Sequence, residues 1–331
     1  RGATTVSSKV CILTLLLGAL PASKLVAADD SPAPLLTAAL SMSQDDPRDS
    51  GFRGSPRESE GTLSAQPATK LFDRDNLVAW CVVPFDARKR GPEARAEMLT
   101  RHGIFQLAYD WRAEHVATFE DEISAYRKHG IEFFAFWKGH DEAYALFEKH
   151  GLKPQVWRTA PSPKAAGQEE KVKKAVEMLL PAVKQANAQG LQFGLYNHGG
   201  WGGEPVNLVA VCRGLRERGC EQVGIVYNFH HAHDRIGSFA DDLDKLKPYL
   251  LCLNLNGMNA GGTPKILTIG EGEHEREMID AVISAGYNGP IGVLDHLHER
   301  DSAEVLQQNM AGLARLLAPG ESKPGQPSKS R

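Results

Sequence analysis

The sequence is short of the features that mark several large protein classes. It has five cysteines in 331 residues, and no two of them form a CxxC pair. Neither a zinc ribbon nor a disulfide scaffold is indicated. Charge of one sign is nearly absent, with 38 Lys and Arg against 41 Asp and Glu and a formal net charge of −3. Such a balance leaves no electrostatic footprint for a nucleic-acid backbone. The apolar run Val10–Leu20 has 11 residues, too short for a membrane-spanning helix, which needs about 20. What remains is an ordinary globular composition, 42% hydrophobic and 24% charged, in a length that allows one large domain or two ordinary ones.

The two ends read differently from the middle. Residues 1–28 have the pattern of a secretory signal: Arg1 and Lys9, then the apolar run, then small residues at Val26-Ala27-Ala28. Export to a periplasm or to the outside is expected, with no stable membrane insertion after processing. Residues 29–70 are rich in Ser, Pro, Asp, Gly and Ala, with Pro32, Pro34, Pro47, Pro56 and Pro67 interrupting any regular element. They read as a disordered linker, and residues 319–331 as a disordered tail. The segment left to fold is 71–318.

Within it, apolar runs alternate with amphipathic ones. Eight candidate strands are Leu77–Val83, Ile104–Trp111, Ile131–Trp137, Pro154–Thr159, Leu191–His198, Gln222–Phe229, Leu250–Asn256 and Pro290–Asp295. The intervals carry helical spacing, as in Phe119, Ile123 and Tyr126, or Val172, Val176, Leu179 and Val183. Glycines at 130, 151, 190, 219 and 286 stand where helices end. Continuous apolar strands alternating with helices mean a parallel sheet covered by helices. Eight units in this length predict a single (β/α)8 TIM barrel, of the α/β class. An open doubly wound sheet lacks support, because no Gly-rich phosphate turn follows the first strand.

In such a barrel the site lies at the C-terminal strand ends. Those ends carry Asp110-Trp111-Arg112, Trp137-Lys138, Trp157-Arg158, Tyr196-Asn197-His198, Asn228, Asn254 with Asn256, and Asp295-His296. Trp111, Trp137, Trp157 and Trp201 are candidate faces for a sugar ring, and Asn197, Asn228, Asn254 and Asn256 candidate partners for its hydroxyls. Six of the twelve histidines fall at or just after these ends: His198, His230, His231, His233, His296 and His298. Such a cluster suits metal binding or proton transfer near neutral pH. The loop Gly199–Gly203 either closes over a ligand or simply turns into the helix that starts near Pro205. Cys81 and Cys252 lie within strands, whereas Cys212 and Cys220 are the one pair left open for a disulfide.

The segments YNHGGWGGE (196–204), GIVYNFHHAH (224–233), LNLNG (253–257) and IGEGEHEREMIDAV with AGYNGPIGVLDH occur in an order that resembles the xylose isomerase-like TIM barrels. That superfamily comprises sugar phosphate isomerases and epimerases, and the segment set is similar to planctomycete-type exported members. The resemblance covers about 76–316 and implies one divalent metal ion (Mn, Mg, Co or Zn) held by Glu, Asp, His and Glu from strands five to eight. Here those positions hold Tyr196, Asn228, Asn254 and Leu294 or Asp295. A relocated site built from His198, Glu204, His231 and Asp295 or His296 is the alternative.

The expected activity is isomerisation or epimerisation of a non-phosphorylated or keto sugar by enolisation, with lysis of a keto-glycoside as a close variant. Glu204 or His198 is the candidate base, and Lys138 or Arg158 the candidate enediolate stabiliser. The rival reading is a non-catalytic carbohydrate-binding barrel that has lost the metal site. A nuclease on the same fold is disfavoured by the sparse carboxylates and the net charge. Oligomeric state is not readable.

Overall fold

The computed structural model describes residues 70–318. The expected signal, most of the linker and the tail lie outside the described residues. Eight strands run in chain order: β1 (Leu77–Trp80), β2 (Gln106–Tyr109), β3 (Glu132–Trp137), β4 (Gln155–Thr159), β5 (Phe193–Tyr196), β6 (Val223–Asn228), β7 (Leu250–Leu255) and β8 (Ile291–Leu294). Each pairs in parallel with the next, and β8 closes on β1 through Leu77↔Ile291 to Trp80↔Leu294. The (β/α)8 barrel read from the sequence is therefore the architecture.

The helices fill the intervals: α1 (Pro92–Arg101), α2 (Phe119–Lys128), α3 (Asp141–His150), α4 (Gln168–Ala188), the one-turn α5 (Gly200–Gly203), α6 (Pro205–Arg216), α7 (Phe239–Leu246), α8 (Glu275–Ser284) and α9 (Ser302–Leu317). Gly130, Gly151, Gly190, Gly219 and Gly286 close helices with φ between 64° and 80°. Only glycine enters that region without cost, so these five residues set where each helix turns back toward a strand.

The core has two layers, as the period of a strand requires. Residues such as Leu107, Val156, Leu195, Ile225, Leu253 and Val293 pack outward under the helices. Val78, Trp80, Ala108, Trp157, Tyr196, Val226, Cys252 and Leu294 form a second cluster inside the barrel. Room for the Trp157 ring comes from Gly194 on the next strand. A Cβ there would stand 2.9 Å from Trp157 Cδ1 and 2.6 Å from Val226 Cγ2. The described cysteines, Cys81, Cys212, Cys220 and Cys252, are all free and buried, so Cys212 and Cys220 are not bonded. Among the described residues no helix is long and apolar enough to cross a membrane.

Candidate functional site

The strand ends open into a cavity of about 490 Å3. Its wall combines three kinds of group: the rings of Trp80, Phe85, Trp111, Trp137 and Tyr196, the imidazoles of His198, His230, His231 and His296, and the charges of Asp110, Arg112 and Lys138. Apolar rings with a few convergent polar atoms suit a small polar ligand.

The aromatic wall is held rigidly. Trp80 and Trp137 lie 5.6 Å apart, and Trp137 meets Tyr196 edge-on at 5.1 Å. Trp111 donates its indole N–H to the carbonyl of Trp137 at 2.6 Å, which ties the end of β2 to the end of β3.

The Tyr196 hydroxyl accepts twice. Trp80 Nε1 donates to it at 3.1 Å and Asn228 Nδ2 at 2.5 Å. The orientation of the Asn228 amide is decided by its other end, where Oδ1 accepts the backbone N–H of His230 at 3.1 Å. Burial pushes the Tyr196 phenol well above the usual tyrosine range, so it stays protonated.

The histidines form a chain of contacts along the mouth. Ring centroids are 4.4 Å apart for His198 and His231, 3.6 Å for His230 and His231, and 5.3 Å for His230 and His296. Burial, then the neighbouring imidazoles, push His230 and His231 far below the usual histidine range. Burial and His298 hold His296 down to about 4. At neutral pH these three rings are uncharged. The Nδ1 atoms of His230 and His296 are buried without a partner among the described residues, which in native structures calls for an explanation such as a ligand.

The charged groups sit on the opposite arc. Asp110 is buried and accepts from Arg112 Nη1 at 2.5 Å. Burial raises the Asp110 carboxyl, against the lowering effect of Arg112. Lys138 is exposed at the rim and has no ion-pair partner among the described residues. Lys138 and Cys81 hold left-handed backbone angles, with φ of 67° and 65°. Such angles cost a non-glycine residue about 1–2 kcal/mol and cluster at functional sites.

Of the residues expected from the sequence, His198, His231, Lys138, Trp111 and Trp137 meet in this cavity. Others are placed elsewhere. Trp157 is fully buried beneath it, donating to Gln155 Oε1 at 2.8 Å. Arg158 follows Trp157 on β4 and points the other way, outside the cavity. Trp201 donates to Gln168 Oε1 at 2.9 Å on the helical layer. Glu204 caps α6, 3.4 Å from Arg235 Nη1.

The four asparagines are spent on the scaffold rather than on the cavity wall. Asn197 joins β5 to β6 through the backbone N–H and carbonyl of Asn228. Asn228 holds Tyr196, and Asn254 is fully buried next to Cys252, whose thiol donates to its Oδ1 at 3.4 Å. Asn256 binds the backbone of the following loop at Gly257 and Lys265. His233 also holds that loop, its ring lying between the carbonyls of Asn259 and Lys265, while His298 packs on Phe85.

The expected metal ligands do not assemble. Tyr196, Asn228, Asn254 and Leu294 occupy the strand-end positions, presenting a phenol, two amides and an alkyl chain. Hard divalent cations want anionic oxygen or imidazole there, so the residues do not fit the inherited centre. The relocated set fails by placement. Glu204 is paired with Arg235, and Asp295 is fully buried beside Ser302 and Asp86, where burial pushes its carboxyl up to about 7. Among the described residues no group of three or more His, Cys, Asp or Glu has a metal-holding arrangement.

The sequence does not single out Trp80, and it names Tyr196, Asp110 and Arg112 only as strand-end residues without a role. The signal for Trp80 and Tyr196 was the period-2 alternation along β1 and β5, which puts both rings inward near the top of the barrel.

No protein-family model and no curated protein matches the chain. Solved structures do. A 3-keto-D-glucoside 4-epimerase, YcjR from E. coli, superposes with TM-score 0.55 at 14% identity, covering 73% of this chain and 98% of that one. The chain has its fold. A D-psicose 3-epimerase from Clostridium cellulolyticum H10, solved with D-tagatose, gives 0.51 at 13%, with the same coverage of 73% and 98%. The zinc-bound IOLI protein gives 0.55 at 14%, again covering 73% and 98%. At these identities the likeness establishes the barrel alone.

Proposed function

We propose that the chain is a sugar isomerase or epimerase that works by enolisation on a non-phosphorylated or keto sugar. The observation that carries this reading is the cavity itself, where Trp80, Trp111 and Trp137 face uncharged imidazoles at the strand ends. The indoles provide apolar faces for a pyranose or open-chain ketose. An uncharged imidazole presents a free ring lone pair to a carbon-bound proton next to a carbonyl, and His198 and His231 lie in ring contact here. Arg112 and Lys138 add positive charge beside the enediolate that forms. Barrels similar to this one include enzymes named as sugar epimerases, which supports the same class. Export, read from residues 1–28, suits a substrate without phosphate.

The test is proton exchange. Purified protein is incubated in D2O with ketoses and 3-keto sugars, with and without a chelator, and deuterium at each carbon is followed by NMR. Exchange at the carbon next to the carbonyl is expected. Sugar binding without exchange at any carbon would transfer the chain to the rival reading, a carbohydrate-binding barrel, which the missing strand-end carboxylates favour.

A further inference from the structure

We propose that Tyr196 is the electrophile of this site, donating its phenolic hydrogen to the carbonyl oxygen of the sugar. The inference rests on the sugar-enolising reading above and adds the group that receives the charge. It follows from counting lone pairs. A phenol has one O–H donor and two acceptor positions. Trp80 Nε1 is a donor only, and it fills one acceptor position at 3.1 Å. Asn228 Nδ2 fills the other at 2.5 Å. Its amide cannot be turned round, because Oδ1 would then leave the His230 N–H facing an NH2 group.

Both lone pairs are taken, so the hydroxyl hydrogen is the only part of the group left to bind anything. No described protein group accepts it, and Tyr196 lines the cavity. A tyrosine kept only for packing has no need of two buried donors aimed at its oxygen. Together the two donors make the O–H a stronger donor and fix where it points.

The step balances without a further reactant. An imidazole of the His198–His231 pair takes the proton from the carbon next to the carbonyl. The C–H electron pair becomes the C=C bond, and the carbonyl π pair moves onto oxygen, where the Tyr196 O–H holds it. Protonation of that carbon on the opposite face by water, with the imidazolium returning its own proton to water, gives the epimer. Delivery of the imidazolium proton to the former carbonyl carbon, with the neighbouring hydroxyl proton passing to the former carbonyl oxygen, gives the isomer. Trp80 and Asn228 are positioning residues.

The experiment is Tyr196→Phe in the full chain, assayed by deuterium exchange on the sugar that the wild type turns over. Loss of one preformed oxyanion donor costs about 10²–10³ in kcat, with KM within about threefold, since the donor acts mainly on the charged oxygen. A sugar hydroxamate, a planar mimic of the enediolate, gives a readout besides activity. It should bind the wild type more tightly than the parent sugar, and Tyr196→Phe should erase that preference. Chelator should leave the wild-type rate unchanged.

Activity of Tyr196→Phe within threefold of wild type, or a rate lost to chelator and restored by a divalent ion, would overturn the assignment while leaving sugar enolisation intact. A wild type that exchanges no proton on any sugar overturns both readings. Where Tyr196→Phe does not fold, fluorotyrosine at 196 preserves shape and acidifies the O–H. A changed exchange rate is then expected, and an unchanged one overturns the proposal.

Discussion

The two arcs of the barrel mouth carry polar groups of different kinds. On the arc from β2 and β3 the polar groups carry full charges: Asp110, Arg112 and Lys138. On the arc from β5 to β8 they are a phenol and imidazoles. Solvent separates most of these groups, the exceptions being Asp110, which is buried against Arg112, and His198, which is exposed at the rim. Lys138 is exposed and the Arg112 side chain is 41% exposed, so both cations keep their hydration. Tyr196 and His230 are 2% and 4% exposed, and burial drives such groups to their neutral forms. On the proposed reading, the buried imidazoles move a proton without a net charge appearing on the resting protein, while Arg112 and Lys138 supply fixed charge.

That contrast predicts a ranking of variants. Removing both His198 and His231 as alanines should cost about 10²–10⁴ in exchange rate, the usual worth of general acid–base catalysis. Asp110→Asn, which removes the one carboxylate of the cavity wall, should cost no more than about tenfold, through a loosened Arg112 and a displaced charge. Both are read by initial rates of deuterium incorporation. The reverse ranking would move the base to the charged arc and make Asp110 the proton acceptor.

The pH profile sharpens the same point. A free imidazole loses its basic form below about 6.5. Burial holds His231 far below that value and His296 at about 4. With His231 as the base, exchange should therefore continue as pH falls through 6.5, with the acidic limb of kcat/KM lying below pH 6. A limb centred near 6.5 would show that an ordinary, solvated imidazole carries the proton.

How much of this was legible in the sequence depends on the layer. The barrel was, because the apolar period changes at each glycine that closes a helix, and the observed strands fall inside the expected runs. Which strand ends share a cavity was legible in part, since His198, His231, Lys138, Trp111 and Trp137 line the same one. Depth and facing were not. Trp157 and Arg158 are neighbours, yet one is buried within the barrel and the other is exposed. Trp201 and Glu204 follow β5 so closely that they read as strand-end residues, but a one-turn helix carries them onto the helical layer. The asparagines could not be separated from ligand-binding groups, because the strands they join are distant in sequence.

The smallest expected effect concerns Asp295, a carboxylate outside the mouth that helps to separate site from scaffold. It is fully buried beside Ser302 and Asp86, and burial pushes its carboxyl from 3.8 up to about 7. In the unfolded chain it ionises near pH 4, whereas in the fold it keeps its proton until about 7. Its contribution to stability is thus fully present below about pH 4 and is lost as pH rises to 7, where the buried group must at last carry charge. His296 runs the other way: its folded value of about 4 lies below the ordinary 6.5, so the unfolded chain takes up the proton first and stability falls as pH drops from 6.5 to 4. Asp295→Asn removes only the first effect. Thermal melting should therefore show the variant gaining on the wild type at pH 8 and losing that gain at pH 4. The exchange rate should be unchanged at both, because Asp295 does not line the cavity. A variant that loses activity without losing stability would instead bring Asp295 into the site.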